Sequence, residues 1–203
     1  MFDRRNVVAA LLAGALATGC SEGTTSPPTT GEPLSAAEAT ALFEAMRAVH
    51  HDTAATIIGG SENSYVVACP LGGQVTITGT VVDETVADTA RLTVDHAASP
   101  SGCRVSSGGA HFTVDGRPHV RERMILTLVG FEAFNLEGSV AGTLDWQSDG
   151  RSGSCNIDMA LSGAPDTSGT GSSVAAVLTG TLCGHETRIE VEGILDDAPG
   201  PSG

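Results

Sequence analysis

QVTITGTVV, residues Gln74 to Val82, alternates aliphatic and hydroxyl-bearing side chains. Val75, Ile77, Gly79 and Val81 share one face of an extended strand, and Thr76, Thr78 and Thr80 share the other. Side chains point to opposite sides in turn only along a β-strand, and the β-branched content favours the same conformation. One apolar and one polar face marks an antiparallel sheet covered on a single side. The alternation returns in Leu92/Val94, Met124/Leu126/Leu128, Val140/Leu144/Trp146, Ile157/Met159/Leu161, Leu178/Leu182 and Ile189/Val191. Between these runs stand PLGG, SPSG, VDGR, SDGRSG and APDTSGTGSS, each read as a turn. The expectation is a mainly β, antiparallel domain of about eight to ten strands, mostly a meander.

A short echo runs through these strands: ITGTV at 77–81, VAGTL at 140–144 and LTGTL at 178–182. Each sets a glycine mid-strand on the apolar face, where it weakens the strand but permits bending or close approach. A strongly coiled meander sheet, or an open barrel, would use such kinks to wrap one N-terminal helix. That outline resembles periplasmic half-barrels that carry lipids or lipoproteins. The helix is read from Ser35-Ala36-Ala37-Glu38, a capping box, followed by Ala39, Leu42, Phe43, Met46 and Val49 at helical spacing. It is expected over 36–50, with its apolar stripe against the sheet.

The N-terminus has the three parts of an export signal: Arg4 and Arg5, the short apolar run Val7 to Ala17, and small residues before a cysteine. The apolar run is little more than half of the roughly 20 residues that span a bilayer. Ala17-Thr18-Gly19-Cys20 resembles the lipobox of bacterial lipoproteins, with Ala17 where that family prefers leucine. The resemblance covers residues 1–20 only. It implies cleavage after Gly19, acylation of Cys20, and attachment to the membrane through that N-terminal lipid anchor. With Ser21 rather than aspartate after the cysteine, it implies the outer membrane. Residues 20–33, the lipidated cysteine and a Ser/Thr/Pro-rich stretch, read as a flexible tether. Residues 34–197 then form a single β-rich domain, and 198–203 a disordered tail.

The chain has 203 residues and a formal net charge of −14, with no lysine among its ten basic residues. Residues 1–19 carry Asp3, Arg4 and Arg5, so the chain from Cys20 is at −15. Such a surface argues against nucleic acid and against adsorption to anionic lipid faces. One Trp, one Tyr and five Phe give no row of aromatic platforms for stacking on sugars or bases. Beyond Cys20 there are four cysteines, Cys69, Cys103, Cys155 and Cys183. An even number in an exported chain reads as two disulfides. Short loops favour Cys69–Cys103 with Cys155–Cys183. Strand parity objects, because Cys183 is out of step with Leu178 and Leu182. That pairing therefore demands a bulge or broken register near Cys183.

Chemistry is thinly signalled. His50-His51-Asp52 follows the helix, but adjacent residues rarely converge on one ion, and a helix C-terminus suits histidine electrostatically. DWQSDGRSGSCN, Asp145 to Asn156, partly resembles a calcium loop, yet ends on Asn156 where a bidentate glutamate belongs and is flanked by strands. His185-Glu186 lies in what reads as a tight turn. Neither a GxSxG elbow, a Walker loop nor HExxH is present. No catalytic residue, metal or cofactor is assigned. In RPHVRER, Arg117, His119, Arg121 and Arg123 fall on one side of a strand, opposite Val120, Met124, Leu126 and Leu128, with Glu122 as the exception. The stripe could bind phosphate or carboxylate groups. The plainer reading is a ladder of cross-strand pairs with acidic neighbours. The expected function is that of a non-catalytic envelope lipoprotein with a binding or structural role. The alternative is a carrier holding an apolar ligand between helix and coiled sheet.

Overall fold

The computed structural model describes residues 30–54, 63–130, 133–166 and 173–191. The expected signal segment, Cys20, the tether as far as residue 29 and the tail from 198 lie outside them. Helix α1 spans Ala36–Ala54, four residues beyond the expected end. Its N-terminus is the capping box: Glu38 N donates to Ser35 Oγ at 3.3 Å, and Ser35 N donates to Glu38 Oε2 at 2.8 Å. Ala39, Leu42, Phe43, Met46 and Val49 are all buried, so the stripe faces the sheet.

Among the described residues nine strands follow: β1 Asn63–Ala68, β2 Gln74–Asp83, β3 Thr89–Ser101, β4 Cys103–Ser107, β5 Ala110–Val129, β6 Ala133–Ser148, β7 Arg151–Asp166, β8 Ser173–Leu182 and β9 His185–Val191. All pair antiparallel in one sheet of order β1-β2-β3-β5-β6-β7-β8-β9, with the short β4 alongside β5. Among the described residues β1 and β9 are edges, so the sheet is not closed into a barrel. It does curl. Strands as far apart in the order as β1 and β8 both reach α1.

The quoted strand sits where its alternation demands, with Val75 and Ile77 buried and Thr78 exposed. The glycine echo marks close approaches. Gly142 and Gly180 have φ of 151° and 146°. A Cβ there would stand 2.5 Å from the His119 carbonyl oxygen and 2.2 Å from that of Asp158.

VDGR is no turn. Gly116 lies inside β5, where Gly116 pairs with Leu144 and Val120 with Gly142, so residues 117–119 stand opposite Thr143 alone. This bulge includes the cis Arg117–Pro118 peptide. A Cβ on Gly116 would lie 2.5 Å from the Pro118 carbonyl oxygen, so Asp-Gly here serves a bulged strand rather than a hairpin.

Both disulfides form as the short loops favour, Cys69–Cys103 and Cys155–Cys183. The parity objection is resolved in the turn. Cys183 and Gly184 have φ of 50° and 86°, a two-residue hairpin loop that releases Cys183 from the alternation of β8.

Candidate functional site

Beneath α1, the apolar inner face carries a polar cluster. His96 of β3 meets Glu122 of β5, its cross-strand partner, with Nε2 3.4 Å from Oε2. The two side chains are only 9% and 17% exposed. His50 of α1 packs edge-on to His96 with ring centroids 6.5 Å apart. Burial works to raise the Glu122 pKa, but the hydrogen bond with His96 and the fields of His96, Arg47 and His50 outweigh it and hold the carboxyl below its ordinary value. Burial lowers the Arg47 pKa against the pull of Glu122 and Glu44. The cavity here is about 20 Å³, with Met46, Leu144 and Ile157 also on its walls. A single water needs roughly 10–15 Å³, so this space suits a water and not a ligand.

His50 thus belongs to a packing cluster. The side chains of His51 and Asp52 lie outside the described residues. Among the described residues no group of three or more His, Cys, Asp or Glu is arranged to hold a metal ion. The calcium-like segment is the β6–β7 hairpin. Asp149 and Gly150 form its tip with φ of 49° and 76°. The Asp145 carboxylate takes hydrogen bonds from Arg117 Nε at 3.2 Å and Ser154 Oγ at 2.6 Å. His185 opens β9 rather than sitting in the turn, and its Nε2 lies 2.9 Å from the Leu34 carbonyl oxygen.

The arginine stripe resolves into a ladder. Arg117 pairs with Asp145, and Arg121 grips Asp95 with two nitrogens, the Nε contact at 2.7 Å. Arg123 stands directly across from Asp95 and adds to the field that lowers its pKa, after the Arg121 hydrogen bond. His119 falls in the bulge, half-buried, so the four residues do not form one continuous row.

The ligand-sized space lies elsewhere. Pairing of β5 with β6 ends at Thr113↔Gln147, whereas β4–β5 pairing continues to Ala110 and β6–β7 pairing to Arg151. The two hairpins therefore part, leaving an open groove of about 690 Å³ between them. One wall carries Arg104 and His111, both exposed, with Leu71 beside them. The other carries Gln147, Ser148, Asp149 and Arg151. The Arg104 backbone is fixed on both sides: it pairs with Thr113, and Leu71 N donates to its carbonyl at 3.1 Å while its own N donates to Gly72 O at 2.7 Å. The Cys69–Cys103 bridge clamps the same turn. Ser148 is 5% exposed, and its Oγ has no hydrogen-bond partner within the chain. Arg151 is committed to Glu38, whose carboxyl the Arg151 and Ser35 hydrogen bonds pull down to about 2.

Thr30, within the stretch read as tether, joins the β6–β7 hairpin at Ser152, on the side of β7 away from β6. It pairs with Ser152 through backbone bonds of 3.0 and 3.1 Å and a hydroxyl contact of 2.8 Å. Sequence reading missed Arg104 because the groove arises from two hairpins diverging, which no local pattern encodes. The only local signal is that no acidic residue stands near Arg104 in SGCRVSS. Comparison with known protein families, with curated proteins and with solved structures finds no match.

Proposed function

We propose that the chain is a non-catalytic envelope lipoprotein, held in the outer membrane through Cys20, whose β domain acts by binding at the end groove. The observation that carries this reading is the Thr30–Ser152 pairing, since Ser152 is also a groove residue. Thr30 is ten residue steps from Cys20, a span of at most ~35 Å at ~3.5 Å per residue. An acylated Cys20 would therefore hold the groove end of the domain close to the bilayer. Two disulfides stapling that same end suit an oxidising envelope compartment. The carrier alternative lacks room, because side chains fill the space between α1 and the sheet down to about 20 Å³. The test is Cys20→Ser. The variant should leave the membrane fraction and remain uncleaved after Gly19; normal processing with retention in the membrane would overturn the reading.

A further inference from the structure

The two edges of the open sheet differ in charge. Glu186, Arg188 and Glu190 line the exposed face of β9, and charged side chains keep an edge from pairing with another chain. β1 has no such guard. Its six residues, NSYVVA, include no charge, proline or glycine, and Val66 is 59% exposed. Cys69 N donates to Gly73 O across the β1–β2 turn, which sets the direction of the ladder. Backbone groups alternate in direction along a strand, so Asn63, Tyr65 and Val67 turn theirs toward β2. The N–H and C=O groups of Ser64, Val66 and Ala68 point the other way. Among the described residues no strand pairs with that side. Tyr65 and Val67 pack on the core from the inner face yet stay only half-buried, as edge residues without a neighbour do.

We infer that β1 is a self-association edge, pairing antiparallel with β1 of a second copy about a two-fold axis beside Val66. Such an axis stands perpendicular to the sheet, so opposed residues share a face, and the outward backbone groups select the register. Val66 faces Val66 of the second copy, and Ser64 faces its Ala68. Each of these pairs exchanges two N–H···O bonds, which occupies the outward donors and acceptors of all three residues. The side chains match as well. Val66 meets its own copy on the outer face, and Tyr65 meets Val67 on the inner face, an aromatic–β-branched pair. A chain at −14 repels a second copy wherever their charges meet, and β1 brings none to the contact. A basic foreign strand would find no carboxylate on β1 to address it. The contact is isologous and closes at two copies. With the axis along the membrane normal, Cys20 of both copies reaches the same bilayer, but the pairing depends on neither the anchor nor the groove.

Register-specific cross-linking of the full-length protein tests this, in maltoside micelles under mild oxidation, read on non-reducing gels. Hydrogen-bonded partners lie about 5.5 Å apart at Cα, within reach of a disulfide. Val66→Cys should therefore link to itself. Ser64→Cys alone should not, because four residues of strand, roughly 14 Å, separate the two copies of that position. Ala68→Cys alone should fail for the same reason. An equimolar mixture of Ser64→Cys and Ala68→Cys should link at least fivefold more than either alone. Adding Val66→Lys to both members should cut that yield at least fivefold, since like charges then stand directly opposite. Glu190→Cys on β9 measures random collision and should link at least fivefold less than Val66→Cys. Thermal unfolding guards each variant against misfolding, and peptide mapping checks that Cys69 stays joined to Cys103. No link through Val66→Cys would overturn the inference and leave β1 to a strand of another protein. Linking of Ser64→Cys alone as strong as the mixture, or a yield indifferent to Val66→Lys, would overturn it too. Failure of Cys20→Ser to release the protein would instead overturn the anchor, leaving the cross-linking result intact.

Discussion

Glu122 carries the largest electrostatic risk in the core, because a carboxylate on the inner face of a sheet costs several kcal/mol unless it is paired. His96, Arg47 and His50 surround it, and together they lower its pKa from the ordinary 4.5. A depressed carboxylate stabilises the fold fully above its unfolded pKa, and that contribution is lost as pH falls through the folded value. The wild type should therefore lose stability below about pH 4.5, and Glu122→Gln should lack that part of the acid dependence. At pH 7 the same variant should be less stable by about 3 kcal/mol, because it removes the carboxylate that His96 and Arg47 face beneath α1. Urea unfolding of both proteins across pH 3–7 checks both statements. In the sequence Glu122 stands out only as a break in an apolar alternation. Its partners come from α1 and β3, at distances along the chain that local patterning cannot connect.

Elements were legible where a local rule fixed them and opaque where long-range register did. Helix α1 follows from Ser35, Glu38 and five apolar positions, all of which take the roles their spacing requires. Ser35→Ala should cost about 1 kcal/mol of stability by removing the cap, read by thermal or urea unfolding. Strand faces were equally plain, since Ile157, Met159 and Leu161 bury as their alternation demands. The β5 bulge was not plain. Asp115-Gly116 has the composition of a hairpin turn, and only the pairing of β5 with β6 shows that the strand continues past it. The split that forms the groove is hidden for the same reason, being a property of where two ladders stop. The glycine echo lies between these cases: the sequence signals a kink, and the structure supplies its cause. Gly142→Ala would place a methyl 2.5 Å from the His119 carbonyl oxygen at φ 151°, strained in both space and backbone. It should destabilise by roughly 1–3 kcal/mol or more, the range for a residue held in a sparsely populated conformation. Serine at Gly109, where no atom lies within 4 Å of a Cβ but φ is 83°, separates the two contributions by keeping the backbone strain alone.

At the scale of the whole molecule, the disulfides and the open groove gather at one end of the sheet. The turns joining β1 to β2, β4 to β5, β6 to β7 and β8 to β9 all lie there, as the antiparallel order requires. Cys69–Cys103 ties the first of these turns to the start of β4, and Cys155–Cys183 ties the last to β7. Thr30, the Ser35 cap and the His185 contact with Leu34 bring the N-terminal segment to the same end. An open sheet has two edges and no closing ladder, so cross-links restrain the strands where the groove is built. The links span 34 and 28 residues, and loop-closure entropy predicts about 3–4 kcal/mol of stabilisation from each. Reduction should lower the unfolding midpoint in two separable steps, seen by comparing Cys69→Ala/Cys103→Ala with Cys155→Ala/Cys183→Ala. Connectivity has a direct check as well. Cleavage after arginine leaves Cys155 and Cys183 within one fragment, 152–188, while Arg91 separates Cys69 from Cys103. Without reductant, fragment 92–104 should therefore travel with 48–91, and 152–188 should run alone with an internal bridge. A link from 152–188 to either of the others would bring β1 or β4 against β7–β9, which an open sheet of this order does not permit.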